Sequence, residues 1–336
     1  MPIIPSSQPT SPQPHSPRLL EVTMPDNSTS QVRIFEPKHH RAHNDHDKGD
    51  GIAPDTQDSA AIQSSSRTNG STAGGSTKPL VIIWPGFGMG ARYFDPMGRE
   101  LATRGFLVAS GELRGQGTST AQATRAHTWG YHHLASQDYP LTIKSVKEDL
   151  GLAADHPTVF LCHSLSGQIA PLFFTRNEAA ELNVLGFLGV GAGSPYYPGY
   201  SGSIRRKLRI GTVIIKAIVS AIGYQPAGTL DLTGYGRQAK HIMLEWGKYS
   251  HTNQQRNLLG EDRDYEDAKY NLTIPVVLTR FDNDADCTRG ASENLAAGMP
   301  NADISIEEYP EQLGHNRWAR QPEVIAHRFE KFVSQL

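Results

Sequence analysis

The run Thr158-Val159-Phe160-Leu161-Cys162-His163-Ser164-Leu165-Ser166-Gly167 changes character within a few residues. It begins as an apolar β-type segment and passes through a cluster of small side chains. It continues with Ile169, Leu172 and Phe173 at helical spacing. Where a strand turns abruptly into a helix, the two backbones nearly touch, and only small residues fit beside the apex. Cys162 and Ser166, two positions before and two after Ser164, satisfy that condition. Such a turn forces Ser164 into strained backbone and lifts its Oγ clear of the sheet. The helix that follows aims backbone N–H groups and partial positive charge at the space above the hydroxyl. A buried strand ending in a polar turn has the same local pattern, so the rest of the chain must decide.

Length and charge narrow the field. A chain of 336 residues accommodates two domains or one large α/β domain with insertions. The formal net charge of −2 gives no reason to expect nucleic acid or an anionic membrane as partner. Two cysteines, Cys162 and Cys287, supply neither a disulfide framework nor a metal cluster and suit a reducing compartment. The first eighteen residues are rich in Pro and Ser and lack the apolar core of a secretory signal. The most apolar helix expected, Ile210 to Ile222, is interrupted by Lys216 and is too short to span a bilayer. These features predict a cytoplasmic protein without stable membrane insertion. They do not bear on oligomeric state.

Along the chain, residues 1–17 are Pro- and Ser-rich and are expected to be disordered. Leu19–Thr23 and Gln31–Phe35 predict a hairpin around Pro25-Asp26-Asn27. Residues 38–78 form a polar tract with His39, His40, His43 and His46, expected to be a disordered, solvated insertion into the domain 18–336. Nothing rigid there would hold those histidines as metal ligands. From Pro79 onward, continuous apolar runs alternate with amphipathic ones. Strands are expected at Pro79–Trp84, Phe106–Ala109, Val184–Val190, Ile274–Thr279 and Ile304–Tyr309, beside the one before Ser164. Helices are expected over Ala91–Arg104, Leu141–Ala153, Thr288–Ala297 and Pro322–Val333. Residues 195–272 break this rhythm with two helices, Ile204–Ile222 and Gly236–Lys248, and read as an inserted helical cap. The alternation demands a mainly parallel sheet with helices on both faces. Ligands of such sheets bind at the carboxyl ends of the strands.

A serine hydroxyl needs a base, and the base needs an orienting group. Arg280-Phe281-Asp282-Asn283-Asp284-Ala285-Asp286 and Glu311-Gln312-Leu313-Gly314-His315 each follow an expected strand, in the chain order Ser, acid, His. Together with Pro85-Gly86-Phe87-Gly88, Leu113-Arg114-Gly115-Gln116-Gly117-Thr118-Ser119 and the turn at Ser164, these segments make the chain resemble the α/β-hydrolase superfamily over about residues 19–336, the insertion excepted. Arg92-Tyr93-Phe94, Trp129-Gly130-Tyr131 and Ser164-Leu165-Ser166-Gly167-Gln168 extend the resemblance to a group of predicted α/β hydrolases.

The resemblance implies Ser164 as nucleophile, His315 as general base and Asp284 as the third member, with Asp282 and Asp286 as rivals. It implies an oxyanion hole built from the N–H groups of Leu165 and Phe87. Departures are Pro85 where His often stands, and Cys162 and Ser166 where Gly is usual. Tyr196 and Tyr197 are candidates for the substrate pocket under the cap, and loop packing accounts for them equally well. His163, His127, His132 and His133 are expected to pack or to be solvated. Arg205-Arg206-Lys207 is expected to be a solvated face. Gly86, Gly88 and Gly90 lack the full dinucleotide fingerprint, so no NAD and no other cofactor or metal is expected. The function these residues imply is a cofactor-free serine hydrolase acting on a small or medium ester, thioester or amide through an acyl-enzyme. An acyltransferase, or a non-catalytic binding protein on the same fold, are the alternatives.

Overall fold

The computed structural model describes residues 16–37 and 78–336. The tail and the polar insertion expected from the sequence, with the four histidines of the latter, fall almost wholly outside the described residues.

The opening hairpin forms as expected from β1 (Arg18–Thr23) and β2 (Thr29–Phe35). Its turn is closed by Met24 N–H to the Ser28 carbonyl at 2.7 Å. The Asp26 carboxylate accepts from both the backbone and the hydroxyl of Ser28. β3 (Leu80–Trp84) is buried along its whole length. It leads through a 3₁₀ turn, Ala91–Phe94, into α1 (Asp95–Thr103). The single helix expected over Ala91–Arg104 is thus two pieces, because Pro96 has no N–H to give and starts a fresh α-helix.

After β4 (Val108–Ser110), α2 (Tyr131–His133) runs through a π-helical turn, Leu134–Asp138, into α3 (Tyr139–Asp149). β5 (Thr158–His163) enters α4 (Leu165–Phe174), and α5 (Asn177–Glu181) precedes β6 (Val184–Val190). The cap holds α6 (Gly202–Arg206), α7 (Thr212–Ile222), β7 (Tyr224–Gln225), β8 (Gln238–Ala239), α8 (Lys240–Thr252) and α9 (Tyr265–Tyr270). α6 and α7 are joined by the π-helical turn Lys207–Gly211. α8 starts later than expected because Gln238-Ala239 pairs with Tyr224-Gln225 as a short antiparallel ladder. The chain ends with β9 (Pro275–Phe281), α10 (Arg289–Ala296), β10 (Asp303–Tyr309) and α11 (Glu323–Val333).

Eight strands form one sheet in the order β1-β2-β4-β3-β5-β6-β9-β10. Only β1/β2 and β2/β4 are antiparallel; the remaining pairs are parallel. Side chains alternate between two core layers. Ile82, Trp84, Phe160 and Cys162 face α3 and α4, whereas Val81, Ile83, Val159 and Leu161 face α1 and α11. Trp84 stacks on Tyr139 of α3 at 3.8 Å between ring centroids. Cap residues Ile215, Val219, Ile242 and Met243 join the first layer, so the cap shares the core of the sheet domain.

One buried cation fastens the loops beneath β5. Lys147 Nζ donates to the carbonyls of Ala154, His156 and Leu182 at 2.8, 2.7 and 2.6 Å. Burial pushes its ammonium down to about 8, which still leaves it mostly charged at neutral pH. Lys147→Met keeps the aliphatic stem and leaves three acceptors without this donor. The expected result is a loss of about 2–3 kcal/mol in denaturant-unfolding stability with unchanged native circular dichroism; an unchanged midpoint would mean that water replaces the ammonium.

Candidate active site

Ser164 joins β5 to α4 with φ 51° and ψ −112°, a conformation that costs a non-glycine residue energy and persists only when its surroundings enforce it. The enforcement is visible. Ser164 N–H donates to the Val190 carbonyl at 3.1 Å, and Gly167 N–H donates to the Ser164 carbonyl at 3.0 Å. The Ser166 hydroxyl donates to the Pro85 carbonyl, fastening the loop after β3 onto the turn. Gly86 of that loop approaches so closely that a Cβ there would stand 2.8 Å from His163 Nδ1 and 3.0 Å from Ser164 Cβ. Ser166 therefore contributes a contact that the usual glycine could not. Cys162 is fully buried, and burial raises its thiol pKa well above 9.0, so it remains a neutral packing residue.

His315 follows β10, and its Nδ1 lies 2.9 Å from Asp284 Oδ2 and 3.1 Å from Oδ1. Asp284 is buried at 3 % exposure, whereas its rivals Asp282 and Asp286 are exposed. Of the three acids left open by the sequence, the one brought against His315 is Asp284. Its Oδ1 also accepts the N–H groups of Asp286 and Cys287, both at 2.9 Å. Arg280 of β9 donates to the carbonyls of Asp282, Asp284 and Cys287 and pairs with Glu308 of β10. The guanidinium thus folds the acid loop around the carboxylate.

A carboxylate beside Nδ1 places the ring proton there and leaves the Nε2 lone pair available to accept one. Burial lowers the basicity of the ring. The hydrogen bond and charge of Asp284 outweigh that effect, with a further push from Asp286, and the imidazole pKa ends above 6.5. The backbone of His315 is fixed as well. Its carbonyl accepts from His163 Nε2 at 3.0 Å and from Trp318 Nε1 at 3.0 Å. His163 is itself buried, which pushes its pKa well below 6.5 and keeps it neutral.

Gly191, at the end of β6, has φ 59°, and a Cβ there would stand 2.8 Å from His315 Nδ1 and 3.1 Å from Asp284 Oδ2. Only glycine leaves room for the pair. Asp284, Asp286 and His315 present donor atoms within 4.8 Å of one another, but the Nδ1–carboxylate contact already engages two of the three residues.

Ser164 and His315 line one cavity of about 350 Å³. The cap supplies apolar wall through Ile204, Leu208, Ile215 and Trp246, and Phe87 adds to it. Phe87 is in turn covered by Tyr235 of the cap, stacked at 4.8 Å. Leu165, whose N–H opens α4 directly after Ser164, is buried at 1 % exposure. Gln168 also lines the cavity, but its amide is engaged by Tyr131 Oη at 2.7 Å and the Gly193 carbonyl at 2.8 Å.

Tyr196 and Tyr197 are not among the lining residues. They pack on each other, and Tyr197 also packs on His251 and under Arg205 and Arg209. Tyr200 and Tyr235 line the cavity instead.

The comparisons with known proteins agree with this architecture. Residues 75–192 match the family model described as serine aminopeptidase, S33. A soluble variant of monoglyceride lipase from Saccharomyces cerevisiae, solved with a substrate analogue, superposes with a TM-score of 0.63 at 13% identity, covering 98% of this chain and 99% of that one. A bacterial membrane phospholipase A gives 0.54 at 14% identity over 95% and 86% of the two chains. An esterase from Exiguobacterium antarcticum gives 0.52 at 14% identity over 94% and 98%. No curated protein matches the sequence.

The chain has the α/β-hydrolase fold. The stretch matched by the family model carries the Ser164 turn and the loop of Phe87, and it stops before Asp284 and His315. On this fold the sequence reading missed Gly191 and the cap residues of the cavity. The Gly191-Ala192-Gly193 run after a buried strand was a legible signal of close approach. The cap residues carried none, because their convergence depends on how the cap docks.

The electrostatics of the pair are directly measurable. By NMR titration, His315 is expected to titrate above 6.5. In Asp284→Asn, burial remains while the opposing charge is gone, so its pKa is expected to fall below 6.5. An unchanged value would show that Asp284 does not govern the ring.

Proposed function

We propose that the chain is a serine hydrolase that cleaves a carboxylic ester of small or medium size through an acyl-enzyme. The observation that carries this reading is His315, paired with the buried Asp284, lining the same cavity as a serine held in strained backbone at a strand-to-helix turn. In the proposed reaction Ser164 Oγ attacks the carbonyl carbon and His315 Nε2 takes its proton. The imidazolium stays paired with Asp284 and then protonates the leaving oxygen. Water attacks the acyl-enzyme by the same route in reverse. The N–H groups of Leu165 and Phe87 are the proposed donors to the oxyanion. The tether from Ser166 to the Pro85 carbonyl supports this, since it holds the Phe87 loop beside the turn. The aliphatic residues Ile204, Leu208 and Ile215 of the cap wall offer a surface for the acyl part of an ester, beside Lys207 and Thr212 of the same wall. Lipase and esterase relatives in fold are consistent with hydrolysis. Free, buried Cys162 and Cys287 fit the cytoplasmic location expected from the sequence.

A fluorophosphonate probe is expected to label the protein, and Ser164→Ala to abolish labelling. The same substitution should lower kcat on short-chain 4-nitrophenyl esters by about 10⁵- to 10⁶-fold. His315 works as a base only when neutral, and its pKa is raised. The kcat/KM profile should therefore rise with pH through a single ionisation above 6.5 and flatten beyond it. A wild-type protein that is folded but unlabelled would favour a non-catalytic binding role.

A further inference from the structure

We propose that the outer face of the cap helices docks reversibly on a lipid surface bearing anionic headgroups. Eight large hydrophobic side chains are exposed among the described residues, and five of them lie within residues 210–232. Ile210, Val213 and Ile214 are 53, 57 and 47% exposed. Their spacing of three and four residues puts them on one stripe of helix. Leu230 and Leu232, on the loop after β7, add to the patch at 49 and 53% exposure.

Charge identifies what covers this face. Arg205, Arg206, Arg209 and Lys216 lie on the same segment, with Lys207, which also lines the cavity, between them, and no Asp or Glu occurs anywhere from Leu182 to Leu230, in a chain whose overall charge is −2. Among the described residues none of these five cations pairs with a carboxylate. The basic run expected from the sequence to be a solvated face is therefore the flank of an exposed apolar stripe. That combination suits the boundary between headgroups and acyl chains, with cations meeting phosphates and the aliphatic residues entering below them. A second copy of the chain fits poorly, because it would bring like charges together. The docking is peripheral: no helix among the described residues is long and apolar enough to cross a membrane.

The same helices build the cavity from their other side. Leu208 and Ile215 line it, and Leu232 is both exposed and part of its wall. Docking would bring that wall against the lipid, so that an acyl ester could pass from the surface toward Ser164. This last consequence rests on the hydrolase reading; the docking itself does not.

The test uses the full chain carrying Ser164→Ala, so that no lipid is cleaved, in flotation with phosphatidylcholine vesicles with and without phosphatidylserine. Binding to the phosphatidylserine vesicles is expected, about tenfold or more weaker without the anionic lipid or at high salt. The triple variant Ile210→Ser, Val213→Ser, Ile214→Ser and, separately, Arg206→Glu with Lys216→Glu should each lose binding by about tenfold or more. In the Ser164 background both sets should leave turnover of a soluble short ester unchanged, which also establishes that they fold. Failure of the folded protein to bind phosphatidylserine vesicles, or equal binding to both vesicle types, overturns the proposal. So does a dimer in sedimentation that the triple serine variant converts to monomer, since a second copy would then cover the patch. A protein that binds vesicles but hydrolyses nothing would retain the docking and remove the hydrolase reading.

Discussion

Strands β3, β5, β6, β9 and β10 run in one direction, so their carboxyl ends leave the sheet along one edge. The ends are also level: Trp84 pairs with Cys162, His163 with Val190, Val190 with Thr279, and Phe281 with Tyr309. Residues more than two hundred positions apart then need only short loops to meet. Phe87, Ser164, Gly191, Asp284 and His315 each sit a few residues past such an end. Buried, evenly spaced main-chain ladders set these positions, and side-chain contacts only refine them.

Refinement is concentrated on His315. Its ring is held through Asp284 and its main chain through His163 and Trp318. The neighbouring glycine at 191 gives up a side chain so that the ring and carboxylate can meet. Two opposing effects act on the imidazole, desolvation and a nearby negative charge, and the charge prevails. The same burial acting on His163, which has no carboxylate partner, depresses its basicity instead. Two histidines with ring centroids 4.8 Å apart thus differ in basicity, one raised by nearby carboxylates and one lowered by burial.

Strand positions and the order of Ser164, acid and His315 were legible because apolar runs and small-residue turns are local features. The resemblance favoured Asp284 over Asp282 and Asp286, but the reason it is the one that meets His315, the gathering of the loop's carbonyls by Arg280, was not legible. Tyr196 and Tyr197 were plausible from their place at the start of the cap. Their rings instead meet each other, His251 and the arginines of the following helix segment. Tyr200 reaches the cavity because its hydroxyl is drawn to the carbonyls of Ser194 and Asp286. Helix limits shifted for equally local reasons, a proline at position 96 and a two-residue ladder before α8.

The stacking of Tyr235 on Phe87 links two parts of the molecule that the sequence keeps far apart. Gly88, next in the same loop, comes within 3.0 Å of the Tyr235 backbone when a Cβ is placed on it. Entry of a bulky molecule that requires Tyr235 to move would also release Phe87 from its ring partner. The loop itself keeps two further holds, from Ser166 to the Pro85 carbonyl and from the Gly88 N–H to Gln116, so displacing Tyr235 would bare one face of the Phe87 ring to the cavity without freeing the loop.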